Sequence, residues 1–413
     1  MPLFELPRLN LLARTAAARP RRAPSLAGLA GLAALAAGLA LTVAGCGGGG
    51  GDAGQTLASA SAFTEGTITG YGSIIVNGVR FDESGAAVSD DGGMQRSASS
   101  LRLGMRVEVD SDKVADAGAR ALAVRFGSRV LGPVSAVNVA GKTFTVLGQV
   151  VDLTDTTVFD DSLAAGLSAV TVGAVVEVHG LPDAATGHLL ATRIESASGA
   201  TAYKLRGVVA ALDPAAKRFS IGAAVISYAG VSPAPTALAN GQALRVTLAT
   251  APVAGVWTAL SLGNPRVQPA NTMAVHVRGA ITAFSSSAAF SVDGLAVDAS
   301  GASFPDGSAL ALGTQVEVKG TVQNGVLVAT QVSLEAQHKG EPDRRFELHG
   351  AITAVNTSAQ TFIVRGITVS YAGTVAYTGG TVAGLVVGAK VEVRGGVGST
   401  RNQLLATAIK FEG

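Results

Sequence analysis

The chain has 413 residues, 48% of them apolar and only 5% aromatic, with 31 basic and 29 acidic side chains and one cysteine. A single thiol excludes a disulfide framework, so any domains must be held by burial alone. The near balance of charge leaves no global basic field for nucleic acid.

Residues 1–24 carry Arg8, Arg14, Arg19, Arg21 and Arg22 against one acid, Glu5, and Leu26 to Ala44 is an apolar Ala/Leu/Gly run interrupted only by Thr42. Val43-Ala44-Gly45-Cys46 closes it. A basic stretch, an apolar core and small residues before a cleavage point form the layout of a secretory signal. The last four residues resemble the bacterial lipobox, with Val43 where that motif more often has Leu. The resemblance implies cleavage before Cys46 and a lipid on its thiol; the alternative is a retained span of about 19 residues. Without residues 1–45 the chain keeps 26 basic and 28 acidic groups, a net charge of about −2. Residues 46–62 read as a Gly-rich tether reaching about 20–24 Å. Gly47, rather than Asp, after the cysteine favours sorting to the outer membrane.

Downstream, one unit recurs five times, expected over 63–127, 128–196, 203–262, 275–335 and 346–413. Each copy opens on a glycine followed by a β-branched residue two places on: Gly66-Ile68, Gly132-Val134, Gly207-Val209, Gly279-Ile281 and Gly350-Ile352. An alternating pair ahead of a glycine turn follows, Ile74-Val76-Gly78 in the first copy and Phe362-Val364-Gly366 in the last, with Gly222 one place early in the third. Asp82, Asp152, Ser227, Asp298 or Ser370 comes next, suited to a side-chain-to-backbone turn. A Gly-x-x-Val-Glu-Val strand comes later, with Arg245 replacing Glu in the third copy. An alanine, read as Ala123, Ala191, Ala259, Ala329 and Ala406, marks the closing strand, followed by Thr192, Thr330 and Thr407 in three copies.

The period within these segments is two, and Val, Ile, Phe and Thr dominate, which predicts strands with one buried face. Five strands per unit predict an all-β chain: a tandem array of five small antiparallel barrels, OB-like (oligonucleotide/oligosaccharide-binding) and strung as beads after the signal peptide. A different small barrel or a sandwich is the alternative. Asp161 to Ala169 is expected to form a short helix between the third and fourth strands. Glu335 to Phe346 should be the most exposed joint and the first cut by a protease.

The stretch from Gly66 to Asp82, together with Gly-Met-Arg-Val-Glu-Val at Gly104 to Val109, resembles a bacterial envelope family catalogued only as a domain of unknown function. The likeness is closest in the first copy and weakest in the third. It implies a β-rich extracytoplasmic lipoprotein with tandem copies and brings no catalytic residues.

Chemistry is sparse. His179, His188, His276, His338 and His349 show no metal-ligand spacing and read as surface or hinge residues. Asp90-Asp91-Gly92 and Asp110-Ser111-Asp112 are short of oxygen ligands for calcium. No nucleophile elbow, phosphate loop or metalloprotease motif occurs. The chain therefore reads as a non-enzyme without metal or cofactor. Glu108, Glu177, Glu317 and Glu392 alternate with core valines and so face outward, as a solvated face or as repeated contacts for a partner or cation. Under either reading, their replacement by Gln should leave folding nearly untouched. Phe144, Phe290 and Phe362 should point inward, and Trp257 should pack in the core. Without exposed aromatics or basic residues in register, nucleic acid is not an expected partner. The expectation is a membrane-tethered binding or scaffolding protein that meets an envelope polysaccharide or envelope protein by avidity. The alternative is a small-ligand or cation-binding stress protein with one functional barrel.

Overall fold

A computed structural model describes residues 61–412, apart from 116–117, 184–185, 308, 335–345 and 399–402. The expected signal peptide, Cys46, nearly all of the expected tether, His338 and the expected joint at 335–345 lie outside the described residues. No α-helix occurs among the described residues; the regular structure is β, in small closed barrels gathered into two sheets.

The ring is clearest in the first stretch. Ala62–Tyr71 pairs with Ile74–Val76, which pairs with Val79–Asp82. Val79–Asp82 runs parallel to Ala119–Phe126, which pairs with Arg106–Ser111, and that strand returns to Ala62–Tyr71. In order of appearance the strands close as 1-2-3-5-4-1. The same five pairings recur from Val130 to Ser196, from Tyr203 to Gly263, from Ala274 to Leu334 and from Phe346 to Glu412.

The recurring residues each have a local cause. Between the second and third strands, a two-residue turn holds a left-handed side-chain-bearing residue before its glycine: Asn77, Leu147, Asp293 or Arg365. Such turns match the twist of the flanking strands. The side chain of that turn residue folds back over the opening strand, and a Cβ on Gly66 would lie 2.1 Å from Asn77 Oδ1, one on Gly279 2.5 Å from Asp293 Oδ2. The opening glycine is thus the space the turn residue occupies. The residue after Ile68, Val134, Ile281 or Ile352 is the extra one in a bulge, and its hydroxyl (Thr69, Ser135, Thr282, Thr353) donates to a carbonyl of the second strand. Bulges bend a strand around a barrel corner.

A second bulge lies where the fifth strand crosses the fourth. Gly180, Gly320 and Gly395 face Ala191, Ala329 and Ala406, and the threonine after each alanine is the extra residue. In the first copy the equivalent of these alanines is Ala121, buried opposite Ser111, and not Ala123, which faces Asp110. The unpaired Leu122 shifts the register there. Four of the five turn acids and serines behave as expected: Asp82 and Asp298 accept from the N–H groups of Ser84 and Ser300, Ser227 and Ser370 from those of Ala229 and Ala372. Asp152 instead accepts from His188.

Two expectations are corrected. Asp161–Leu163 and Gly166–Ala169 are 3-10 turns, the first capped by Asp160 accepting from Ser162 and Leu163, rather than one helix. The repeats are also not strung as beads, because Thr56–Gly413 forms one compact unit. Their opening strands pair across repeats, which covers edges that would otherwise be exposed. Ala62–Glu65 runs parallel to Ala274–Val277, Gly70–Tyr71 to Glu347–Leu348, and Lys204–Leu205 pairs antiparallel with Val130–Leu131. Phe63 of the first repeat completes the core of the fourth, and one core runs through the second and third.

Candidate functional site

The site begins with one register position. The residue before each opening glycine lies directly opposite the middle residue of the Val-Glu-Val strand, outside the barrel. The pairs are Glu65 with Glu108, Leu131 with Glu177, Arg206 with Arg245, Arg278 with Glu317, and His349 with Glu392. Opposite charges placed this way stabilise a sheet, while like charges destabilise it. The first and third repeats each carry a like-charged pair; Arg106 and Arg125 of the first repeat lie against its own glutamates, and groups from other repeats supply further partners.

The long connection of the first repeat brings one such partner. Asp90 Oδ1 accepts from the N–H groups of Gly92 and Met94, and its Oδ2 holds Arg96 at 2.7 Å. The hairpin tip this creates presents Asp91 to the third repeat. Lys204 Nζ donates to Asp91 Oδ1 at 2.6 Å and Arg206 Nη2 to Oδ2 at 2.9 Å, while Arg245 donates to the Asp91 carbonyl. Burial would raise the Asp91 carboxyl, but Arg206 and Lys204 hold it below the usual range. The departure of the third repeat at Arg245 is therefore complementarity to the first.

Around this contact Arg106 donates to Glu65 at 3.1 Å and Arg266 pairs with the other oxygen of the same carboxylate. Arg129 reaches Asp293 at 3.0 Å. Arg266 stacks on the Phe63 ring, and burial pushes its guanidinium down to about 10, with Asp293 opposing. For Asp293 burial works upward, and Arg129, Arg106 and Arg266 outweigh it. Glu108, 8% exposed, accepts from Val267 N–H at 3.2 Å; burial raises its carboxyl despite Arg206. These groups line a cavity of about 390 Å³ formed by the first four repeats.

The expected glutamates thus separate. Glu108 and Glu392 are buried rather than solvated, covered by neighbouring charged groups. Glu317 is half-buried between His276, Arg278 and Lys319, and Glu177 half-buried facing Leu131. His179 and His349 are buried, not surface residues. His179 Nδ1 accepts from Arg106 N–H, and its ring lies 3.7 Å from Glu195, whose carboxyl burial pushes up but His179 and Arg193 hold down at about 2.

His349, Glu347 and Glu392 bring ligand atoms within 4.8 Å of one another, a set that could hold a metal ion. Arg80 of the first repeat pairs with Glu347 and His349, and Arg394 and Lys410 with Glu392, so cationic side chains already supply the positive charge. A second concavity, a cleft of about 1230 Å³, opens between the first, second and fifth repeats, with Tyr71, Arg102, Phe159, Arg193, Phe346 and Leu405 among its walls. Burial pushes the Tyr71 hydroxyl up to about 12, and it donates to Leu101 O at 2.8 Å.

Three stretches of this chain match the domain of unknown function DUF5666: residues 132–195, 278–333 and 349–410. No curated protein matches the chain. The three DUF5666 repeats are the ones that carry the bulge glycines Gly180, Gly320 and Gly395. The first and third repeats have Ser111 and Leu248 there and lie outside the matched stretches. The expectation that the likeness is closest in the first repeat is thus overturned: the matched stretches are the second, fourth and fifth repeats, and the first differs from them at its fourth strand. Sequence reasoning missed Asp91, Arg106, Arg129, Arg266 and Asp293 as one cluster. The one signal for it was the Glu-to-Arg exchange at Arg245.

Proposed function

We propose that the chain is a non-enzymatic envelope lipoprotein, anchored through Cys46 at the outer membrane, whose five OB-like barrels form one preassembled binding and scaffolding module. The observation that carries this reading is the cleft between the first, second and fifth repeats, built from residues about 300 positions apart in sequence and held by Arg80–Glu347 across the repeats. A strand order of 1-2-3-5-4-1 supports the OB-like description. Because the repeats are packed, partner binding would come from a composite surface rather than from avidity along an extended string. Its mixed aromatic and charged walls suit an envelope polysaccharide or an extended segment of an envelope protein.

The test is capture from envelope extracts by the full-length protein and by an Arg102→Glu, Leu405→Asp variant, both positions being solvent-facing in the cleft. Loss of the captured polysaccharide or protein in the variant is expected; identical capture would overturn the cleft assignment. Cys46→Ser should abolish labelling by a radioactive fatty acid, and labelling at the normal level would remove the anchor. The charged cavity between the first four repeats favours a second reading, a small-ligand-binding protein.

A further inference from the structure

The cavity between the first four repeats has an imbalance of donors over acceptors. Six guanidinium groups, those of Arg106, Arg125, Arg129, Arg206, Arg245 and Arg266, face five carboxylates. Asp90 is already held by Arg96 and Asp91 by Lys204, neither of which lines the cavity, while Asp110, also outside it, holds Arg125, so cations still outnumber carboxylates. Glu108 is desolvated and drawn toward its neutral form. Among the described residues, Arg206 Nε, Arg266 Nε and Ser128 Oγ on the cavity wall are buried without a hydrogen-bond acceptor, as is Arg125 Nε, 3.9 Å from Glu108 Oε2, while Arg266 Nη2 meets only Glu65. Ser128 is fully buried and Arg266 is 5% exposed. A buried donor left without an acceptor costs its full desolvation, so such groups call for an occupant that accepts. A Cβ at Gly127 would lie 2.2 Å from Arg206 Nη2, so the glycine is what lets that guanidinium reach the wall.

We propose that this cavity is a binding site for a tetrahedral oxyanion, phosphate or sulfate, free or as the terminal group of a small ester. Such a group offers several acceptor oxygens to donors converging from different strands and adds the negative charge that the excess guanidinium lacks. A metal cation would meet those donors unfavourably, and an apolar ligand would leave them unpaired. The proposal rests on the second reading above alone, so its failure leaves the cleft and its capture experiment untouched.

The test is calorimetric titration of the full-length protein in detergent with inorganic phosphate, sodium sulfate and glycerol 3-phosphate, at constant ionic strength in chloride. Saturable binding of at least one is expected. Phosphate or sulfate binding without the ester marks a free ion as the ligand, and preference for glycerol 3-phosphate marks an ester. Ser128→Ala should weaken binding about tenfold while its melting temperature in chloride stays unchanged. If that variant melts early, Arg125→Lys carries the test, since it keeps the charge facing Asp110 and removes the Nε donor; the same weakening is expected. No saturable binding of any of the three anions, or equal binding by every folded variant, would overturn the proposal.

Discussion

The fourth repeat and the first are built on the same ring of strands, yet they treat the same register position in opposite ways. In the fourth, Arg278 faces Glu317, and His276 and Lys319 on the same barrel complete the cluster. In the first, Glu65 faces Glu108; Arg106 and Arg125 of the same barrel reach these carboxylates, and Arg206 of the third repeat and Arg266 of the connection that follows it add further positive charge. At this position the fourth barrel pairs its glutamate with its own cations, whereas the first draws on its neighbours as well.

The largest loss is expected at Asp91. Its removal leaves Lys204, Arg206 and Arg245 facing one another in a buried contact, and Asp91→Ala should cost about 3–5 kcal/mol. Trp257, the one tryptophan, packs edge-on against Tyr203 at 5.9 Å beside Lys204, so its fluorescence in a urea titration reports undocking of the third repeat. A midpoint within error of wild type would show that docking does not depend on this acid. Restoring the glutamate of the other copies, Arg245→Glu, should cost about 2–4 kcal/mol by setting like charges together. The matching exchange in the fourth repeat, Glu317→Gln, should cost only about 1 kcal/mol because its cluster is partly solvated.

The bulge glycines sharpen the contrast in another way. A Cβ at Gly320 would lie 2.1 Å from the Val328 carbonyl, while one at Gly396 meets nothing within 4 Å. Gly320→Ala should therefore cost about 2–3 kcal/mol and Gly396→Ala less than about 1 kcal/mol, measured by thermal unfolding. Equal losses would show that the crossing is not close.

The smallest effect is in pH dependence. Glu317 is held below the ordinary carboxylate range despite burial, by His276 and Arg278, and Glu347 is held at about 2, first by His349. Folding then favours their ionised forms: the stability is present above the unfolded value near 4.5 and is lost as pH falls toward 2. Glu108 has the opposite sign. Its raised carboxyl contributes stability at low pH that is lost as pH rises through its folded value. Glu108→Gln should leave stability unchanged or raise it by up to about 1 kcal/mol at pH 7, and Glu317→Gln should flatten the acid limb. A steeper acid limb in Glu317→Gln would reverse the assignment.

The strands were legible because each is specified locally: alternation at period two, a turn glycine and a hydroxyl or acid at its end need no distant partner. Even the closing alanines were visible, although the copy with Ala121 read two places out because a bulge inserts a residue that leaves no mark in a period-two pattern. The outward direction of Glu108, Glu177, Glu317 and Glu392 also follows from alternation. What alternation cannot say is what lies beyond the outer face. Solvent was the expectation, and for Glu108 and Glu392 the cover is other charged side chains.

By itself, then, the sequence determined an all-β chain of repeated units, the inward residues and the turn chemistry, because hydrogen-bond period and side-chain volume act over a few residues. Only the tertiary structure decided that the units pack into one body, that Arg245 answers Asp91, and that a cavity and a cleft lie between repeats. Charge complementarity acts between surfaces separated by a hundred residues or more, and nothing in a linear pattern states which surfaces meet.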